Sequence, residues 1–484
     1  MRKGYSGLSE ADAHVVLREF EDRHRLFHGE VEGTCLWQLV RFEVSVQLQH
    51  VGLPKPPLSR KRLLGGLAQG LVSYLLPASR VRFLSKTFDS AHRNHSEAGF
   101  RDIYFDDLWD SLQGGAKMSS CDTAGYEEQI SQAYSKPVFD DTAIIAMSAL
   151  LGRQFPVLKD HPYFEKLANL LKNELGVEGI DRERLSSLFN VFMWRSRLYQ
   201  RVLKKFNPKA VLVPDSGQFA LMKACNNIAL PFIELQHGLF TSMHPNALPA
   251  HASRRAILRP TVLAAYGSFT KQNLKNTLLE KEGRIRPVGA AFIEAPAALR
   301  RSLSPVADLR TIIVTTQGID REKLSDYLAS MMEAAGPNVR LSIKLHPAYD
   351  TDETIYRNRF GSDDRVSILS AQSSESTHML VAKSNLHLSI SSATHYDALG
   401  IGTPTAVVPL ASYGSVNGIL DHEGAFLAAD PFELGVRIRS GDIPVVPESV
   451  KNFFFQSGFI GNMQRLLDGI ASIRENEIKT GVRE

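Results

Sequence analysis

From residue 209 onward the chain alternates between short β-branched runs and helical stretches, and that alternation leaves few folds open. "KAVLVPD" (209–215) has the composition of a fully buried parallel strand, "SGQFALMKACNNIA" behind it is helical, and "PFIELQ" is a second strand. Strand, helix and strand in so short a span make a βαβ unit, which is right-handed and belongs in a parallel sheet. The series continues with "TVLAAYG" (261–267), the helical "SFTKQNLKNTLLEKEG" and the strand "RIRPVG". A second series begins at "RTIIVTTQG" (310–318) and runs through "VRLSIKLHP" (339–347), "RVSILS", the short helix "THMLVAKSN" and "LHLSISSATHYDALGIGTPTAVVPL" (386–410).

At 484 residues the chain exceeds one ordinary core. The expected architecture is therefore two Rossmann-like parallel α/β domains facing a cleft. An N-terminal domain covers 1–293, a linker of Pro, Ala and charge covers 294–308, and a C-terminal domain covers 309–448. A final helix within 449–484 is expected to cross back to the first domain. Upstream, "RVRFLSK" (80–86) reads as a strand and 113–135 as loop. Helices are expected over 142–151 and over 182–206, the latter stopped by Asn207-Pro208.

A net charge of +4 calls for no nucleic-acid partner. Cys35, Cys121 and Cys225 lack the spacing of a disulfide framework or zinc site, which fits a reducing compartment. No run reaches the ~18 apolar residues of a spanning helix, and a cytoplasmic location is expected. The charge is nevertheless uneven. No acidic residue occurs between Glu43 and Asp89, a span holding Lys55, Arg60, Lys61, Arg62, Arg80, Arg82, Lys86 and the apolar "LLGGLAQGLVSYLL". Residues 44–88 therefore admit two readings: a buried helix flanked by solvated cations, or a segment lying on the anionic inner-membrane surface.

Ligands of parallel α/β sheets bind beyond the carboxyl ends of strands, so the residues standing there are the candidates. They are Asp215, Gln236-His237-Gly238, Thr316-Gln317-Gly318, His346-Pro347 and Ser391-Ser392-Ala393-Thr394. Period-two alternation puts Lys344 and His346 on one side of their strand, where a cation and an imidazole suit a phosphate or a sugar hydroxyl. A lysine on a half-exposed strand beside a structural histidine fits equally well. Ser391, Ser392 and Thr394 lie where a strand turns into a helix and favour an anion, although simple helix capping uses the same residues. Asp397 follows on the first helical turn. Asp215 is a natural base or nucleophile near His237. His237, His244 and His251 recur every seven residues, but no acidic or thiol ligand joins them at metal-site spacing, so no metal is expected.

"ELQHG", "KLHP" and "SSATHYDALGIGTP", in that order, resemble GT-B glycosyltransferases of bacterial surface-polysaccharide (capsule and O-antigen) assembly. "CLWQLVRFEV" (35–44) and "FRDIYFDDL" (100–108) resemble the N-terminal parts of those enzymes, and the HP motif and serine loop look like those of capsule Kdo transferases and bacterial sialyltransferases, which use CMP-linked donors. The resemblance implies a nucleotide-sugar donor held by Gln317, Gly318, Lys344, His346, Ser391, Ser392, Thr394 and Asp397. It implies Asp215 and His237 as catalytic groups, with Arg93, Asp106 and Gln236 on the side of a glycan or lipid-linked acceptor. It implies no metal or other cofactor. Asp397 stands where many such enzymes carry a glutamate, and the sialyltransferase acidic-glycine motif is missing. Two other readings share the architecture: a CDP-polyol phosphotransferase or sugar-nucleotide epimerase, and a non-catalytic scaffold.

Overall fold

The computed structural model describes residues 7–49, 60–75, 80–94, 99–120, 132–215, 217–244, 246–252, 255–303, 309–347, 349–370 and 375–480. They form two α/β units. The first comprises Met1–Ala265, Lys271–Arg286 and Met463–Glu484, and the second Tyr266–Thr270 and Pro287–Asn462.

The first unit contains strands β1 (Phe83–Phe88), β2 (His92–Asn94), β3 (Phe100–Asp102), β4 (Gly115–Ser120), β5 (Phe139–Asp140), β6 (Ala210–Val213), β7 (Phe232–Leu235), β8 (Val262–Ala265) and β9 (Ile285–Pro287). Seven of them make one sheet in the order β5-β4-β1-β6-β7-β8-β9, while β2 and β3 form a separate antiparallel hairpin. The strand order reverses between β1 and β6. One core lies between the sheet and the helices Arg182–Phe206 and Phe219–Asn227. A second is built by Glu10–His24, Leu36–Gln49 and Pro162–Leu170 around Phe20, Trp37 and Phe164. The helix Arg182–Phe206 starts where Asp181 accepts from the Arg184 N–H (2.8 Å) and stops at left-handed Asn207, before the proline.

The second unit contains β10 (Arg310–Thr315), β11 (Val339–Lys344), β12 (Val366–Leu369), β13 (Leu386–Ser389), β14 (Thr405–Val407) and β15 (Ala425–Leu427). All are paired in parallel, in the order β12-β11-β10-β13-β14-β15. Counted along the chain this is 3-2-1-4-5-6, the order of a doubly wound sheet, with its reversal between β10 and β13. Ile312, Val314, Leu341, Ile343, Leu386 and Leu388 supply its apolar interior.

Several segments depart from the expectation. Within 113–135, read as loop, Gly115–Ser120 is an inner strand; its small and polar residues carry no β signal, and pairing with β1 and β5 holds it extended. The supposed linker 294–308 begins inside a helix, Ala291–Ser302, with Pro296 buried; residues 304–308 lie outside the described residues. The single helix expected over 268–283 is two short ones, Ser268–Asn273 and Leu278–Lys281, the second capped by Thr277. The final helix expected within 449–484 is also two, Glu448–Phe454 and Phe459–Thr480; between them the Gln456 N–H donates to the Tyr266 carbonyl (2.8 Å) and Gly458 takes a positive φ of 83°.

Candidate functional site

The strand reversals of the two sheets gather most of the polar residues singled out above. In the second unit, Gln317 and Gly318 leave β10 and Ser391 leaves β13, on the two sides of the reversal. Gln317 Oε1 accepts from both the backbone N–H (3.1 Å) and the hydroxyl (3.0 Å) of Ser391, joining the two loops. Gly318 has φ 72°, and a Cβ there would stand 2.2 Å from the Tyr349 carbonyl oxygen, so glycine is required both by conformation and by space. Gly318→Ala should therefore cost about 1–3 kcal/mol in unfolding experiments and displace the Gln317 loop. An unchanged stability would show that the loop adapts freely.

Ser392 acts locally: its hydroxyl accepts from the Thr394 N–H (3.2 Å) and lies 3.0 Å from the Thr394 hydroxyl, opening the helix Thr394–Ile401. Lys344 and His346 come from neighbouring β11, whose Lys344 is in register with Thr315 of β10. Buried Lys344 donates to the Ser370 carbonyl (2.8 Å); burial lowers its pKa while Glu375 opposes the shift. Half-buried His346 accepts from the Tyr349 N–H at Nδ1 (3.1 Å), and burial lowers its pKa against the pull of Asp350. That geometry assigns a neutral ring with its proton on Nε2. Asp397 pairs with His378 at 3.1 Å, so one of its oxygens is already engaged.

In the first unit, Asp215 and His237 follow the adjacent strands β6 and β7. Asp215 accepts from the Gly217 N–H (2.6 Å) and from Gln218 Nε2 (2.5 Å). Gln218 Oε1 in turn accepts from Lys86 (2.5 Å), which is buried on β1 and ion-paired with buried Asp141 at 2.7 Å. Tyr199 completes this network, donating to Asp141 (2.5 Å) and lying 3.1 Å from the Lys86 ammonium. Burial, the largest single influence, would lower the Lys86 pKa; Asp141 and Tyr199 together outweigh it and hold the ammonium charged. A chain of polar groups, buried at Asp141, Lys86 and Tyr199 and half-buried at Gln218 and Asp215, thus runs across the β1/β6 reversal.

Sequence reasoning missed the residue beside Asp215. Glu234 lies in β7, in register with Val213 of β6, two residues before Asp215. It is buried, its Oε1 has no hydrogen-bond partner, and burial together with the charge of Asp215 pushes its pKa up to about 8. The signal was there to read: one carboxylate within the otherwise apolar "FIEL". His237 is half-buried, its Nδ1 is buried without a hydrogen-bond partner, and burial lowers its pKa despite Asp215. His244 stacks on Phe240 (4.4 Å between centroids) and is driven down to about 4 by burial, then by His237 and Arg41. Both rings are neutral near pH 7. A neutral carboxylic acid, neutral imidazoles and Asp215 form an array suited to proton transfer.

Two of the other candidates are engaged in local hydrogen bonds. Gln236 is buried and its Nε2 donates to the Gly238 carbonyl (2.8 Å), bracing the turn in which Gly238 holds φ 144°. Asp106, expected on the acceptor side, is instead fully buried. It accepts from Lys117 (2.7 Å), Ser135 (2.6 Å) and the Asp102 N–H (2.8 Å), fastening the β2–β3 hairpin to β4 and leaving no exposed oxygen for an acceptor. Arg93 lies on β2 opposite Arg101, and its side chain is outside the described residues. His251 is exposed and pairs with Asp22 at 3.1 Å.

No family model matches the sequence, and no curated protein does. Among solved structures, the chain is similar to a UDP-GlcNAc 2-epimerase from Neisseria meningitidis bound to UDP-GlcNAc, at 15% identity over 80% of this chain and 99% of that one, with a TM-score of 0.46. It is similar to the wall teichoic acid polymerase TagF at 10% identity over 92% and 99% of the two chains, with a TM-score of 0.43. MnaA from S. aureus, solved with UDP, gives 10% identity over 82% and 97%, with a TM-score of 0.42.

Proposed function

We propose that this chain is a nucleotide-sugar-dependent glycosyltransferase of the GT-B type. The observation that carries the reading is the bond pair from Ser391 to Gln317 at the reversal of a doubly wound sheet, the place where such sheets receive nucleotides. Lys344 and the Nε2–H of His346 at the next strand end supply a cation and a donor suited to phosphate oxygens. In the first unit Asp215 is the candidate base or nucleophile, and His237 the group that orients or protonates an oxygen. A CMP-linked Kdo donor and an acceptor of surface-polysaccharide assembly form the finer part of this reading. They rest on the resemblance of "ELQHG", "KLHP" and the serine loop. The reading assigns no metal and no other cofactor.

The test is a thermal-shift series with CMP, CDP, UDP and GDP on wild type and His346→Ala, repeated in EDTA. A nucleotide at ~100 times its dissociation constant stabilises by roughly 2.7 kcal/mol, and the variant should lose most of that gain. A shift with CMP alone supports the Kdo-type donor, and one with UDP or GDP keeps the enzyme class and changes the sugar. Turnover of a nucleotide sugar without acceptor would favour an epimerase. No shift with any of the four would favour a scaffold.

A further inference from the structure

The helix Arg60–Leu75 is packed on one side and bare on the other. Its buried side is made by Gly66 and Gly70; a Cβ on Gly70 would stand 2.4 Å from the Asp140 carbonyl and 2.8 Å from the Ala143 Cβ. The glycines thus let the helix lie directly on β5 and the helix Thr142–Gln154. At its far end Lys205 donates to the Ser73 (2.5 Å) and Tyr74 (3.0 Å) carbonyls. The opposite side carries Leu64 (70% exposed), Leu71 (37%), Val72 (54%) and Leu75 (80%), at helical spacing with Ala68 between them. The buried-helix reading of this segment is therefore half right.

An apolar stripe of this size needs a partner, and the surrounding charge selects one. Arg60 and Lys61 are exposed at the helix start, and the sequence holds no acidic residue from 44 to 88. The adjoining helix exposes Leu150 and Arg153, is followed by exposed Phe155, and is likewise free of acidic residues. Two of the cations counted in the sequence do not contribute: Lys86 is buried on Asp141, and Arg82 pairs with Asp468. Among the described residues no helix is long and apolar enough to cross a membrane. We propose that this face seats on an anionic lipid surface, with Leu64, Val72 and Leu75 at the headgroup–acyl boundary and Arg60 and Lys61 against lipid phosphates. This proposal is independent of the catalytic reading.

The test is co-sedimentation of the full chain with vesicles of phosphatidylcholine, with and without phosphatidylglycerol, at low and high salt. Wild type should bind the anionic vesicles, and salt should weaken binding. Leu64→Ser/Val72→Ser/Leu75→Ser and Arg60→Glu/Lys61→Glu should each lower partitioning by at least about tenfold, given the contribution of each surface cation and buried methylene. The substituted side chains are exposed, so the thermal midpoint should hold; if the serine variant unfolds, the charge reversal decides alone. Wild type that ignores anionic vesicles, or variants that bind as well as it does, overturn the proposal. So does lipid-free self-association that the serine variant abolishes, which would make the face an interface between copies.

Discussion

Glu234→Gln should match wild type in stability below about pH 4 and exceed it by a growing margin toward pH 8. Glutamate ordinarily titrates near 4.5, whereas burial and Asp215 push Glu234 up to about 8 in the folded chain. Below ~4.5 both folded and unfolded states hold the proton. Between ~4.5 and ~8 only the folded state does, so stability falls by up to about 1.4 kcal/mol per pH unit. Above ~8 both states have released it and the loss is complete. The accumulated difference between wild type and variant is about 3–5 kcal/mol. Urea titrations of both proteins across this range isolate it, because the other titrating groups are shared. A difference curve flat from pH 5 to 9 would mean that Glu234 is not held neutral.

Removing Asp141 is expected to cost more at neutral pH than any surface change. Asp141→Ala strands the Lys86 ammonium in the interior with the Tyr199 hydroxyl and Gln218 as its remaining partners. Breaking one side of a buried pair typically costs about 3–5 kcal/mol, whereas replacing both members with apolar groups of similar volume is close to neutral. Lys86→Met/Asp141→Leu should therefore recover most of the stability lost in Asp141→Ala, as measured by denaturant unfolding. A loss below about 1 kcal/mol in the single variant would show that the ammonium finds water or shifts its pKa freely. The double variant also asks a functional question. It removes the lysine that orients Gln218, and with it part of the hold on Asp215.

The strands were legible wherever the chain wrote them in β-branched residues, as at "AVLV", "TIIV" and "LSIK". Where a strand is made of "GAKMSS", the sheet rather than local preference decides, and no short-range pattern announces it. The polar residues at strand ends were legible for a related reason: parallel strands are apolar until they end, so a polar side chain just past the last apolar one stands out. Their division of labour was not. Gln236 and Asp106 look as available in sequence as Asp215, and only their own burial and hydrogen bonds show that they brace a turn and a hairpin. Pro296 misled in the opposite direction: it stands in the middle of the helix Ala291–Ser302, buried, where it forgoes one backbone hydrogen bond.

The segmented composition of the first unit bears on how the protein is made. Its residues come from three stretches, and the last, beginning at Met463, buries Met463, Leu467 and Ile470 and brings Asp468 to Arg82. The second unit draws nearly all of its residues from the intervening stretch. During vectorial synthesis the first unit thus waits, incomplete, while some 180 residues of the second emerge and close upon themselves. Over that interval the apolar groups that await Leu467 are those a chaperone would have to shelter.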